Sequence, residues 1–354
     1  MKIKDEYLPS IAVWEFTLKC NLKCFHCGSS AGKTRSNELS TTEGVKLIRD
    51  LAEIGFRGVA LMGGEPFLRQ DWYIIGREIK DIGMKLSIIT NGNINPKNVL
   101  SKLVKLEIDS LSVGLDGATD KTHDYIRGVK GAFYRAKEFI DLSKKAGLPI
   151  NIITTVHKKN FYELSVMKDF VLDLGVNWQV QEAIPIGRFP KNMALSEEEY
   201  YSLGLFIAST RKKYSSKNIV IGSPHNVGFN SQFIPKLGPY PDWNGCWAGK
   251  MVLGIQSDGN IKGCLALSDD FIEDNIRNKD VIDIWKCPSS FRYSRAFNEK
   301  DIGENCRDCK YKMDCKGGCT TRSTSFTGVS HNDPYCFYRI ENKLRLKGSV
   351  SHKP

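Results

Sequence analysis

The chain has 354 residues, with 51 lysines and arginines against 40 aspartates and glutamates for a net charge of +11, and its 41% hydrophobic and 26% charged composition excludes bulk disorder and low complexity. No run approaches the roughly 20 apolar residues of a membrane span, and the N-terminal MKIKDEYLPS lacks the apolar core of a signal peptide, so a cytoplasmic protein with no membrane partner is expected. The positive balance suits an acidic partner, but the basic residues are spread along the chain without an interleaved aromatic and basic motif, and nucleic acid is not expected.

From residue 11 to about 185, β-branched runs alternate with amphipathic stretches, the pattern of repeated βα units around a parallel sheet. Strands are predicted at IAVWEFT from Ile11, GVALMGG from Gly58, KLSIITNG from Lys85, SLSVGLDG from Ser110, INIITTVH from Ile150 and NWQVQEAIP from Asn177. A helix over Thr41 to Ile54 is bounded by a capping box of Ser40 and Glu43 and by Gly55 as a stop. Six units fall short of the eight of a closed barrel, which predicts an α/β fold with an open, partial (β/α)6 TIM-like barrel whose working loops follow the strand ends. A further helix begins at LSEEEY. Beyond about residue 222 the texture turns to Gly, Pro, Asn and Cys with short strand-like runs such as MVLGIQSDGNIKGC, predicting a loop-rich, small α+β domain built around metal.

Eleven cysteines are too many for chance packing, and a reducing compartment excludes a disulfide framework, which leaves metal. Ten of them form two groups, with none between Cys27 and Cys246. The first group, Cys20-Asn-Leu-Lys-Cys24-Phe-His-Cys27, places three thiolates in one loop after the first strand. Iron in a cubane cluster takes four ligands, so three leave one iron open to a substrate or cofactor. The alternative, a zinc loop completed by His26, is strained because His26 directly precedes Cys27.

On this C-x3-C-x2-C loop the sequence resembles the radical S-adenosylmethionine superfamily. The resemblance implies a [4Fe–4S] cluster on Cys20, Cys24 and Cys27, whose open iron chelates S-adenosylmethionine and whose electron releases a 5′-deoxyadenosyl radical. It also implies that His26 contacts the adenine and that Phe25 packs into the protein. Gly63-Gly64-Glu65-Pro66, at the second strand end, matches the family's GGE motif and would hold the methionyl amino group; alone it also reads as an ordinary turn. Asn91, in Thr90-Asn91-Gly92, would lie near the ribose, although NG is a common turn. Many relatives have serine two places before the aspartate of the fourth strand, whereas this chain has Gly114 before Asp116; Ser112, on the same strand face, is the substitute. Arg127 matches an arginine that pairs with the methionyl carboxylate, the alternative being a surface arginine.

The second group runs Cys246, Cys264, Cys306, Cys309, Cys315, Cys319 and Cys336, with Gly259 between the first two. It resembles the SPASM extension of radical enzymes that mature peptides, which implies two auxiliary [4Fe–4S] clusters and three clusters in all. Cys306, Cys309, Cys315 and Cys336 would hold one completely. Cys246, Cys264 and Cys319 would hold the nearer one, with an iron open or capped by a side chain such as His225 or Asp242. Cys287 lies outside the pattern, as a hydrogen-atom donor or a half-buried bystander.

The resemblance covers a radical barrel over residues 8–222 and a cluster domain over 235–345. It implies an enzyme, a flavodoxin or ferredoxin as low-potential electron donor, and a ribosomally made precursor peptide as substrate. Only nineteen residues precede Cys20, too few for an N-terminal leader-binding domain, so a separate leader-recognition protein is expected. The alternative substrate is a small molecule or tetrapyrrole, as for a haem-pathway decarboxylase, because the CxHC loop and the turn at Pro185-Ile-Gly-Arg188 resemble that group too. A non-catalytic iron–sulfur electron carrier is the reading of another class, opposed by the intact loop and GGE.

Overall fold

The computed structural model describes residues 7–217, 219–224, 227–238 and 243–350, with the side chains of 346–350 excepted. The six predicted strands form as β1 (Ile11–Thr17), β2 (Gly58–Gly63), β3 (Lys85–Thr90), β4 (Ser110–Gly114), β5 (Ile150–Val156) and β6 (Asn177–Glu182). Between them run α1 (Thr41–Ile54), α2 (Trp72–Asp81), α3 (Leu100–Lys105), α4 (Asp120–Arg127), α5 (Ala132–Lys145) and α6 (Leu164–Leu174). This mixed α/β architecture with a mostly parallel sheet is the partial (β/α)6 barrel expected.

The chain divides into two compact units, one of residues 1–152, 186–188 and 247–296, the other of 153–185, 189–246 and 297–354. In the first, β1 pairs in parallel with β2, Ala12 opposite Val59, and β2 and β3 continue in parallel through to β4. The run MVLGIQSDGNIKGC supplies β7 (Val252–Ile255), which pairs in parallel with β1 on its other side, and β8 (Asn260–Lys262), which returns antiparallel to β7. With β1 flanked on both edges, Trp14 and Phe16 are fully buried, each burial stabilising by roughly 1.5–3 kcal/mol. The α1 start is as predicted: Ser40 N–H donates to Glu43 Oε2 at 2.8 Å, the Ser40 hydroxyl accepts from Glu43 N–H, and Gly55 closes the helix at φ 101°.

In the second unit Ala183 N–H donates to Val156 O at 2.8 Å, beside the end of β6, and Trp178 Nε1 donates to Thr154 Oγ1 at 2.9 Å. This unit also contains α7 (Glu197–Lys213), with a capping box of Ser196 and Glu199, and the cysteine-rich segment with α8 (Lys312–Cys315), α9 (Thr320–Thr327) and α10 (Phe337–Val350). No helix among the described residues is long and apolar enough to cross a membrane.

Candidate active site: a three-cysteine loop and a buried cysteine set

In the first unit the chain leaves β1 and turns back on itself, Cys20 N–H donating to Gly32 O and Gly32 N–H to Leu18 O, both at 2.9 Å. This brings Cys20, Cys24 and Cys27 into one cluster with Leu22, Val129 and Ala132. Three supports fix the loop. Lys23 and Phe25 N–H groups donate to the Arg127 and Ile126 carbonyls at the end of α4 (3.0 and 3.1 Å). Arg188 donates from Nε to Cys24 O (3.1 Å) and from Nη1 to Ala31 O (2.8 Å), and its N–H to Cys27 O (3.0 Å). Gly187, at φ 58°, lies so close that a Cβ would collide with the Cys27 and Gly28 carbonyl oxygens. Gly64 N–H donates to Thr17 O and Glu65 N–H to Lys19 O, both at 2.8 Å, and any Cβ at Gly64 would collide with the Lys19 carbonyl. The GGE glycines are therefore required by the approach of β2 to the β1 exit.

Each sulfur meets hydrogen-bond donors. Leu22 N–H lies 3.5 Å from Cys20 Sγ and Ala31 N–H 3.3 Å from Cys27 Sγ; Asn91 Nδ2 reaches Cys20 Sγ at 3.7 Å and Arg127 Nη1 reaches Cys24 Sγ at 3.9 Å. Burial pushes the Cys20 thiol up to about 11 against the Leu22 N–H, and raises Cys24 against the opposing Arg127 charge. Thiols held protonated by burial, yet furnished with N–H donors, fit a metal centre, because a bound cation releases the proton and the donors then stabilise the thiolate. The donor set fits iron–sulfur ligation.

The remaining predicted residues surround this loop. Glu65 is fully buried, accepts from Thr90 Oγ1 and Asn91 N–H (2.8 Å each), and is pushed up to about 7 by burial against those bonds. Asn91 also donates to Asn21 Oδ1 at 2.9 Å, tying the β3 end to the loop. Ser112 is half-buried on β4, opposite Ile89. His26 Nε2 lies 3.2 Å from Asp116 Oδ2, and burial lowers the imidazole to about 4, Arg127 Nη2 lies 2.8 Å from the same Asp116 oxygen. Asp116 and Arg188 were not singled out as site residues from sequence; the Pro-Ile-Gly-Arg turn was the visible signal for Arg188, and Asp116 showed only as the end of a strand.

The second unit gathers Cys306, Cys309, Cys315 and Cys336 around a cavity of about 230 Å³, lined also by Phe229, Asp333 and Tyr338. Lys316, Gly317 and Gly318 are left-handed in succession (φ 51°, 74° and 84°), the tight turn that separates Cys315 from Cys319. A Cβ on Gly317 would strike the His331 carbonyl. Burial raises the thiols of Cys306, Cys319 and Cys336 and pushes Cys315 up to about 12; neighbouring sulfurs and the Asp333 carboxylate add to it. Such a crowd of buried sulfur calls for a cation. Beside it, fully buried Arg322 grips Asp333 (2.8 to 3.0 Å), and donates to Glu182 and to Tyr200 Oη at 2.9 Å. Asp333 also accepts Cys319 N–H at 3.1 Å. Cys246 belongs to this unit and Cys264 to the first. Cys287 is half-buried, its sulfur 3.1 Å from Ser289 Oγ. His225 and Asp242 lie outside the described residues.

The model of the Radical SAM superfamily matches residues 14–171, and that of the SPASM iron–sulfur cluster-binding domain matches residues 246–310. AdoMet-dependent heme synthase of Methanosarcina barkeri is 32% identical over 347 residues, spanning 95% of this chain and 98% of that protein. The chain belongs to the radical S-adenosylmethionine superfamily. It is a radical S-adenosylmethionine enzyme with a SPASM domain, and its family implies iron–sulfur clusters and S-adenosylmethionine. Mycofactocin maturase MftC of Mycobacterium tuberculosis is 28% identical, covering 93% of this chain and 83% of that one. Among solved structures, Streptococcus suis SuiB bound to S-adenosylmethionine shares the fold at a TM-score of 0.74 and 19% identity, over 94% of this chain and 76% of that one.

Proposed function

We propose that this radical S-adenosylmethionine enzyme acts on an iron tetrapyrrole and decarboxylates its propionate side chains. The observation that carries the reading is the end-to-end match, over 95% of one chain and 98% of the other, with a protein named AdoMet-dependent heme synthase. A second relative, 28% identical over 94% of this chain, is named Fe-coproporphyrin III synthase. The +11 charge suits a substrate bearing several carboxylates. This places the tetrapyrrole ahead of the precursor peptide that the sequence put first.

Turning a propionate into a vinyl group removes a hydrogen atom, CO2 and one electron, so the chemistry needs a hydrogen acceptor and an electron acceptor. When bound, the loop cluster and S-adenosylmethionine supply a 5′-deoxyadenosyl radical that takes the hydrogen. Cys20, Cys24 and Cys27 would hold that cluster, with Asn91 and Arg127 donating to its sulfur ligands. Gly63, Gly64 and Glu65 shape the wall at the β2 end, and His26 and Ser112 stand on the S-adenosylmethionine side. Cys306, Cys309, Cys315 and Cys336 would hold one auxiliary cluster and Cys246, Cys264 and Cys319 a second, three clusters in all. The functional division is a radical barrel over 8–222 and a cluster domain over 235–345. A low-potential flavodoxin or ferredoxin in the cytoplasm would supply electrons.

The test is anaerobic: reconstituted, reduced protein with S-adenosylmethionine and Fe-coproporphyrin III. The expected result is 5′-deoxyadenosine formation stimulated by the tetrapyrrole, with products shorter by one CO2 per side chain. The second reading, a peptide maturase, draws on the MftC match and on the fold shared with SuiB, one structure of which is bound to precursor peptide SuiA. Turnover of a short peptide encoded beside this gene, with none on the tetrapyrrole, would replace the first reading by the second.

A further inference from the structure

We propose that Asp116, just beyond the C-terminal end of β4, is a positioning residue for the three-cysteine loop, acting through Arg127 on Cys24 and through the His26 ring. The inference concerns the radical centre itself and is independent of the substrate class. Asp116 is fully buried, and one of its oxygens meets both the Arg127 guanidinium at 2.8 Å and His26 Nε2 at 3.2 Å. The same guanidinium extends its other nitrogen to Cys24 Sγ at 3.9 Å. One planar fork thus spans a carboxylate and a cluster-binding sulfur, a geometry that a flexible lysine would not hold.

The neighbouring sequence is built around this bridge. A Cβ at Gly114 would collide with Arg127 Nη2, so the strand carries glycine where the guanidinium passes and a carboxylate where it ends. Asp116 N–H donates to His123 Nδ1 at 3.1 Å, fixing the backbone that presents the carboxylate. The loop rests on the same end of α4, through the bonds from Lys23 and Phe25 to the carbonyls of Arg127 and Ile126. Moving Arg127 therefore moves both the charge beside Cys24 and the bed on which Cys24 lies. The glycine that departs from the family's serine acquires a physical role here: it makes room for the arginine.

The experiment compares wild type, Asp116→Asn, Asp116→Glu, Arg127→Gln and the Asp116→Asn/Arg127→Gln pair as full-length reconstituted proteins. It reads iron content, the EPR signal that S-adenosylmethionine perturbs, the midpoint potential of that signal, and 5′-deoxyadenosine formation. Asp116→Asn keeps the shape and removes the charge. The expected result is near-normal iron with a shifted signal and potential, 5′-deoxyadenosine formation down about 10- to 100-fold as for other residues that orient metal ligands, and partial recovery in Asp116→Glu. Because Asp116 acts chiefly through Arg127, adding Asp116→Asn to Arg127→Gln should change the potential little further. An unchanged signal and potential in Asp116→Asn, or shifts in the pair that simply add, would overturn the proposal. Should Asp116→Asn fail to fold, Asp116→Glu and Arg127→Gln carry the test: equal potentials in both and wild type would also overturn it.

Discussion

In the first unit the three cysteines of the loop are met by donors, with N–H groups of Leu22 and Ala31, the Asn91 amide and the Arg127 guanidinium each directed at a sulfur. In the second unit the cysteines crowd one another, buried with the Asp333 carboxylate nearby, and Tyr311 N–H on Cys309 at 3.4 Å is a comparatively sparse supply. The first arrangement keeps three ligands and tunes them; the second encloses four and depends on a cation for its charge balance. Three tuned ligands suit a cluster that binds a reactant, whereas four enclosed ones suit a cluster that organises the domain and carries electrons.

The contrast is broken most severely at Cys24. Cys24→Ala should abolish 5′-deoxyadenosine formation in reconstituted, reduced protein, while the auxiliary clusters remain and the iron content falls by about a third from roughly twelve. Surviving 5′-deoxyadenosine would deny the loop its role. The complementary change, Cys315→Ala, removes an enclosing ligand. It should lower iron by about four per chain and lower the melting temperature of the holo-protein, because the bound cluster contributes folding energy there. A full iron count with an unchanged melt would mean that the four-cysteine cavity does not hold a cluster.

A finer test lies at Gly114. Restoring the serine common in relatives, Gly114→Ser, puts a side chain where the Arg127 guanidinium passes. Overpacking of this kind costs about 1–3 kcal/mol, and chemical denaturation of the apo-protein should show a loss of that size. A neutral or stabilising outcome would show that Arg127 has room to move, which would weaken the tuned-ligand side of the comparison.

What the sequence made legible follows from the range over which each signal acts. The six barrel strands and the α1 capping box were readable because their patterns are local: alternating apolar runs, Ser40 three residues before Glu43, glycine at the stop. The cysteine loop was readable because its spacing packs three ligands into one turn of chain. Asp116 was not, since its partners His26 and Arg127 stand on other elements and no local period marks a buried carboxylate. The Arg322–Glu182 contact likewise joins residues 140 positions apart. The strands β7 and β8, four and three residues long, are too short for periodicity to speak, so the pairing of β7 with β1 came only from the structure. Gly114 showed in the sequence as a missing hydroxyl; the guanidinium filling that space is visible only in three dimensions.

The smallest effect concerns how the tuned loop is anchored on its far side. After the loop the chain passes Asn37 and Glu38 into α1, and Arg277 holds this segment by donating to Asn37 O (2.9 Å) and to the Glu43 carboxylate (2.6 and 3.1 Å). The Arg277 hydrogen bonds, with help from Ser40, hold Glu43 down from 4.5 to about 2. A lowered carboxylate contributes stability that is complete above its unfolded value and disappears as the pH falls through the folded one. Between about pH 4.5 and 2 the first unit should therefore lose this anchor. The pair is exposed and screened by solvent, so its worth is below about 1 kcal/mol. Glu43→Gln should lower apo-protein stability slightly at pH 7, and the gap from wild type should close in acid. Measured as unfolding midpoints in denaturant, a gap that stays constant down to pH 2 would show that Glu43 acts as a helix cap alone, and that the anchor beyond the cysteine loop lies elsewhere.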